Sequence, residues 1–170
     1  MWLAHALTLL RIPIAVAVAL EYGQTWPVVA LIALAAATDV ADGNVARFMQ
    51  RRGHTKPAIG GWLDPLADKI FVAVVLAAIV VHTREIWIVA LIGARELLLL
   101  PLLAIYLAVR RDRTKLEADA IGKLATIAQF VALAVAVALP RHALPGAIVA
   151  AVLGVASVVH YVRARRMQPR

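Results

Sequence analysis

The sequence predicts an all-α integral membrane protein with six transmembrane helices and both termini in the cytoplasm. Three observations carry that expectation. The 170 residues are 63% hydrophobic, against about 45–50% in soluble domains, and the mean hydropathy is +0.84. The apolar residues fall into six continuous runs, near the roughly 20 residues a helix needs to cross hydrocarbon; strands of a barrel would instead alternate over about ten residues. Finally, the basic residues sort by loop. Arg47, Arg51, Arg52 and Lys56, then Arg110, Arg111, Arg113 and Lys115, then Arg163, Arg165, Arg166 and Arg170 share one side, and the other side holds only Arg84 and Arg141. The positive-inside rule puts the richer side in the cytoplasm.

The first helix is expected over 3–20. Its apolar run continues past Arg11 and lacks a small-residue cleavage site, so it reads as a span rather than a cleavable signal. The second, over 26–48, is purely apolar from Pro27 to Ala37 and then meets Asp39. "TDVADGNVARF" is therefore its cytoplasmic end, carried out of the lipid. The third, over 63–81, opens on "GWLDPLADK", with Pro65 in a first turn where its missing N–H costs nothing. The fourth, fifth and sixth are expected over 86–109, 118–139 and 145–162. Trp2, Trp26, Trp62 and Trp87 lie near span ends, as interfacial anchors do. No linker or low-complexity tract divides the chain, so residues 1–170 read as one domain. There are no cysteines, hence no disulfide framework and no thiolate metal site. The formal charge of +8 is read as topology and contact with anionic membrane lipids, not nucleic-acid binding. His54, His82, His142 and His160 show no metal-ligand pattern.

The chain has ten acidic residues, and four of them, Asp39, Asp42, Asp64 and Asp68, fall between Thr38 and Ile70. On helices, a spacing of three or four stacks each pair on one face. A short connection makes the two helices antiparallel neighbours, so the four carboxylates meet at one end. Like charges beside lipid repel one another and resist desolvation. Hard divalent cations relieve this with oxygen ligands, and Mg²⁺ characteristically takes carboxylates together with substrate phosphates. Two cations suit four aspartates, and such a pair can clamp a phosphoryl group. The plainer reading has the acids capping helices and neutralising Arg47, Arg51, Arg52 and Lys56, but caps do not require two stacked pairs. Gly43 and Ala46 share the side of Asp39 and Asp42. They allow either close helix packing or room for a ligand beside the metals, and Arg47 follows where a guanidinium could meet a diphosphate.

Asp39-x-x-Asp42-Gly43-x-x-Ala46-Arg47 followed by Gly60-x-x-x-Asp64-x-x-x-Asp68 resembles the signature of the CDP-alcohol phosphatidyltransferase family. "LTLLR" at Leu7–Arg11 looks like the family's first-helix segment. "LDPLADK", "ARE" at Ala94–Glu96 and "GKLATIAQ" at Gly122–Gln129 look like the branch that makes phosphatidylglycerophosphate. Twelve residues lie between Arg47 and Gly60, more than the family usually has; His5 stands where the branch often has Asn and Ala125 where it often has Lys.

The resemblance implies transfer of a phosphatidyl group from CDP-diacylglycerol to an alcohol, releasing CMP. It implies two Mg²⁺ or Mn²⁺ ions on Asp39, Asp42, Asp64 and Asp68, with Asp68 also the general base. It implies CDP binding by Thr8, Asp39, Asp42, Gly43, Ala46, Arg47 and Gly60, and a homodimer in the cytoplasmic (inner) membrane with its active site facing the cytoplasm.

Arg11, Arg95, Glu96 and Lys123 interrupt apolar spans. Such charges face a partner or a cavity. They either pair with one another and with the aspartates, or form a basic pocket in which Arg95, Lys123 and a loop residue such as Arg51 hold the phosphate of glycerol 3-phosphate. Inositol phosphate and phosphatidylglycerol are the rival acceptors. Outside this class, a divalent-cation transporter would need polar groups leading to the far side, where the spans are apolar, and a scaffold would leave the motif unexplained.

Overall fold

The computed structural model describes residues 2–51, 60–99 and 120–166, and the side-chain surroundings of 9–41, 66–99 and 121–163. Every regular element among the described residues is helical. The order is α1 (Trp2–Leu20), α2 (Thr25–Arg51), α3 (Gly60–Thr83), α4 (Ile86–Ile92), α5 (Ala120–Ala138), a 3₁₀ turn (Pro140–His142) and α6 (Ala143–Arg166). These bounds lie within a few residues of the expected ones for five of the six runs. Of the expected fourth helix, 86–92 and 94–99 are helical on either side of Gly93, and 100–109 lie outside the described residues, as do the basic segment 110–115 and the loop holding Arg52, His54 and Lys56.

The chain divides into two compact units, Met1–Arg84 and Glu85–Arg170. In the first, α1 packs against both α2 and α3. Each helix offers one stripe. Arg11, Ile14, Ala15 and Val18 are buried on α1, Val28, Ile32, Ala35 and Thr38 on α2, and Ala67, Phe71, Val72, Val75, Ala78 and Ile79 on α3, all at helical spacing. Among the described residues α2 and α3 meet through α1 more than through each other. In the second unit α6 packs against α4 and α5, burying Ala143, Ala147, Ala150 and Val158.

These interiors are rich in alanine, whereas Leu20, Trp26, Trp87 and Leu97 are each more than 60% exposed. In water this distribution would drive aggregation. In lipid it is the expected one, because tails solvate large apolar side chains and small residues let helix backbones approach. Three helical segments are long and apolar enough to cross a membrane, Leu66–Thr83, Ile121–Ala138 and Pro140–Arg163, and Leu9–Leu20 and Thr25–Ala41 are shorter apolar stretches.

Close approach is sharpest at Gly154. A Cβ added there would lie 2.9 Å from the Cβ of Arg95 and 3.6 Å from its Cα and N, so the backbone around Arg95 would have to move. At Gly146 an added Cβ would meet Ala132 at 3.7 Å or more, an ordinary contact. Gly154→Ala is therefore expected to lower the Tm in detergent, since overpacking costs about 1–3 kcal/mol against about 1 kcal/mol gained in helix propensity. Gly146→Ala keeps only the gain and should raise it.

In the first unit the turn joining α1 to α2 meets the end of α3. The ring of Tyr22 stacks on that of His82 at 4.2 Å, and His82 Nδ1 lies 2.8 Å from the Ala78 carbonyl. The Tyr22 hydroxyl is buried without a hydrogen-bond partner among the described residues, and burial pushes the phenol above its ordinary value of 10.0. The folded state thus holds this proton more tightly than the unfolded chain. Its contribution to stability is complete below pH 10 and is lost as pH rises beyond it. Tyr22→Phe removes both the unpaired hydroxyl and the titration. The variant should melt higher than the parent, by a margin that widens above pH 10.

Candidate functional site

The contact of Tyr22 with His82 fixes the sense of the first unit. The α1–α2 turn and the end of α3 share one end of it, so the end of α2, the start of α3 and the start of α1 share the other. That second end carries the aspartate pairs. Asp39 and Asp42 are one turn apart on α2, and Asp64 and Asp68 one turn apart on α3. Gly43, Ala46, Arg47 and Arg51 continue α2, Gly60 opens α3, and Thr8 precedes Arg11 by a turn on α1. The side chains of Thr8, Asp42, Ala46, Arg47, Arg51 and Asp64 lie outside those described.

Asp39 falls on the buried stripe of α2, four residues after Ala35, and so faces α1. There Arg11 Nη2 meets Asp39 Oδ1 at 3.1 Å. Arg11 is 1% exposed, while the Asp39 side chain is 38% exposed. The pairing explains how α1 carries a guanidinium in an apolar stripe: an isolated buried charge is very costly, and a facing carboxylate with hydrogen bonds offsets much of that cost. Thr38, beside it, donates its hydroxyl to the Ala35 carbonyl at 2.7 Å, which keeps a buried polar group satisfied within the helix. Asp68 continues the buried stripe of α3, three residues before Phe71, and its Oδ1 is out of solvent.

Among the described residues no three His, Asp or Glu side chains come together; Asp42 and Asp64 are not among those whose side chains are described. The donor set is nonetheless entirely carboxylate oxygen, the chemistry hard divalent cations take. Arg11 engages Asp39 from the buried side and leaves that carboxylate part-exposed to a cation. The residues present fit such a group.

The second unit gathers a further polar cluster. Arg95 Nη1 donates to Thr126 Oγ1 at 2.7 Å, and Thr126 donates in turn to the Gly122 carbonyl at 3.1 Å. Gln129 Nε2 donates to the Ile92 carbonyl at 3.1 Å and to Glu96 Oε2 at 2.6 Å. The helix is interrupted at Gly93, whose N–H bonds the Val89 carbonyl, and the Ile92 carbonyl at that break receives the Gln129 amide. Lys123 is exposed on α5, one turn before Thr126. Arg95 and Lys123 thus come from two elements to one region of this unit. Thr126 and Gln129 were not singled out individually by their sequence; only their place in "GKLATIAQ" marked them.

The sequence profile of the CDP-alcohol phosphatidyltransferase family matches residues 1–162. The chain belongs to that family. Its relatives include proteins named CDP-diacylglycerol–glycerol-3-phosphate 3-phosphatidyltransferase from Escherichia coli K12, Escherichia coli O157:H7 and Shigella flexneri serotype 5b. Each is 35% identical over 107 residues, a match covering 61% of this chain and 56% of the relative. The chain thus spans little more than half the length of the curated relatives it matches. No solved structure matches it. The matched region includes Asp39 to Asp68, on α2 and α3.

Proposed function

We propose that this protein transfers the phosphatidyl group of CDP-diacylglycerol to glycerol 3-phosphate, giving phosphatidylglycerophosphate and CMP. The observation that carries the reading is the aspartate signature, set on the end of α2 and the start of α3 within a chain that matches its family over residues 1–162. The 35% identity to proteins named for that reaction supports the choice of donor and acceptor.

In this reading Asp39, Asp42, Asp64 and Asp68 hold two divalent cations, Mg²⁺ or Mn²⁺. Such cations, when bound, would supply positive charge to the diphosphate of the donor and to the departing CMP. Thr8, Gly43, Ala46, Arg47 and Gly60 line the CDP site with Asp39 and Asp42. Asp68 takes the proton of the acceptor hydroxyl, whose oxygen forms a bond to the phosphatidyl phosphorus as the phosphoanhydride bond to CMP breaks. The donor already carries a good leaving group, so positioning and charge account for most of the rate. Arg95 and Lys123 hold the acceptor phosphate. The chain acts as one domain with six spans, both termini and the active site on the cytoplasmic side of the inner membrane, as a homodimer.

The test is CMP release by the purified protein in detergent, with CDP-diacylglycerol and Mg²⁺ or Mn²⁺, against glycerol 3-phosphate, inositol phosphate and phosphatidylglycerol. Release with glycerol 3-phosphate alone, abolished by chelator, is expected. Release with another acceptor keeps the class and moves the product. Folded protein that releases no CMP with any acceptor overturns the reading.

A further inference from the structure

Arg95 and Glu96 are adjacent opposite charges in an apolar helix, and the simplest expectation is that each neutralises the other. The structure divides them. Glu96 accepts from Gln129 at 2.6 Å, whereas Arg95 donates to the neutral hydroxyl of Thr126. Among the described residues Arg95 makes no ion pair, and its Nε is buried without a hydrogen-bond partner. Thr126 and Gln129 are one turn apart on α5, so both charged heads lie along one face of that helix. Each head is held by its own partner on that face.

Gln129 is suited to this separation. Its two acceptors, the Ile92 carbonyl and the Glu96 carboxylate, offer no proton, and the amide nitrogen offers two. Gln129 is 3% exposed; its bond to the Ile92 carbonyl is buried and its bond to Glu96 part-buried, and an unmade bond there is costly. The Ile92 carbonyl belongs to the break at Gly93 and fixes the amide to the backbone. We infer that Gln129 is a positioning residue for acceptor recognition: by holding Glu96 to the α4 break it keeps the Arg95 guanidinium un-neutralised for the phosphate of the acceptor. The inference rests on the proposed role of Arg95 and Lys123 toward glycerol 3-phosphate.

The predicted consequence is specific to charge. Gln129→Leu releases Glu96 toward Arg95, and the KM for glycerol 3-phosphate should rise about tenfold, within the range of coupling between members of one network, with the KM for CDP-diacylglycerol unchanged. Adding Glu96→Gln to that variant removes the competing charge and should restore the acceptor KM. A purely structural role for Gln129 would not be rescued by removing a second polar partner. Thermal stabilisation by inorganic phosphate reads the same guanidinium without turnover. It should be present in the parent, lost in Gln129→Leu and regained in the double variant. An active parent whose acceptor KM is unmoved by Gln129→Leu, or a double variant that stays impaired, overturns this inference and leaves the transferase reading standing. A parent that neither turns over nor is stabilised by phosphate overturns both.

Discussion

Asp68→Asn is expected to reduce CMP release with glycerol 3-phosphate by about 10²- to 10⁴-fold, the usual worth of a positioned general base. The substitution keeps the size of the side chain and removes its basicity. Asp68 lies on the buried stripe of α3, one turn before the fully buried Phe71 and Val72, so its backbone is held by packing that the amide leaves in place. The Tm in detergent should therefore change little compared with the rate. Asp39→Asn is the informative companion, because Asp39 is placed against Arg11 and has no role in proton transfer in this reading. Its activity should recover in part at raised Mg²⁺ or Mn²⁺, and that of Asp68→Asn should not. If Asp68→Asn retains activity within a factor of a few, or is recovered by cation in the same way, Asp68 is a metal ligand alone and the base lies elsewhere.

Arg11→Met should produce the largest loss of stability in the first unit. Breaking a buried ion pair from one side costs about 3–5 kcal/mol when the remaining charge is sealed from water. Here the remaining carboxylate, Asp39, is 38% exposed, so water recovers part of that and the loss should fall below this range. The sign of the metal dependence follows from the charges. Without cations, Arg11 is the positive group paired with Asp39; in the proposed site its loss leaves the carboxylates with greater mutual repulsion. A divalent cation then offsets more than it does in the parent. The variant should melt well below the parent in chelator, and the gap should narrow on adding Mg²⁺ or Mn²⁺. A gap that is unchanged by cation would separate the Arg11–Asp39 pair from the metal site.

Much of this was readable before any coordinates, for a physical reason. In lipid every backbone polar group must be satisfied within its own segment, so a long apolar run has little choice but to be a helix, and the helix bounds followed closely. The same cost makes charges rare within spans, which is why Arg11, Asp39, Arg95, Glu96 and Lys123 stood out as soon as the chain was read. The stacking of Asp39 on Asp42 and of Asp64 on Asp68 needed only helical periodicity.

Pairing was another matter. Spacing shows which residues share a face of one helix, but it is silent on which face of another helix lies opposite. Arg11 was open to either pairing or ligand binding, and only the packing of α1 on α2 set it against Asp39. Among the described residues α1 packs against both α2 and α3, a packing that depends on shape and not on order along the chain. Arg95 and Glu96 were open to pairing or to ligand binding, and the structure gives them separate partners, Thr126 and Gln129, more than thirty positions away. The sequence by itself determined the helices, the carboxylate pairs and the family to which they belong. The tertiary structure decided that Arg11 pairs with a carboxylate and Arg95 with a hydroxyl, since that depends on contacts between helices for which a linear pattern holds no register.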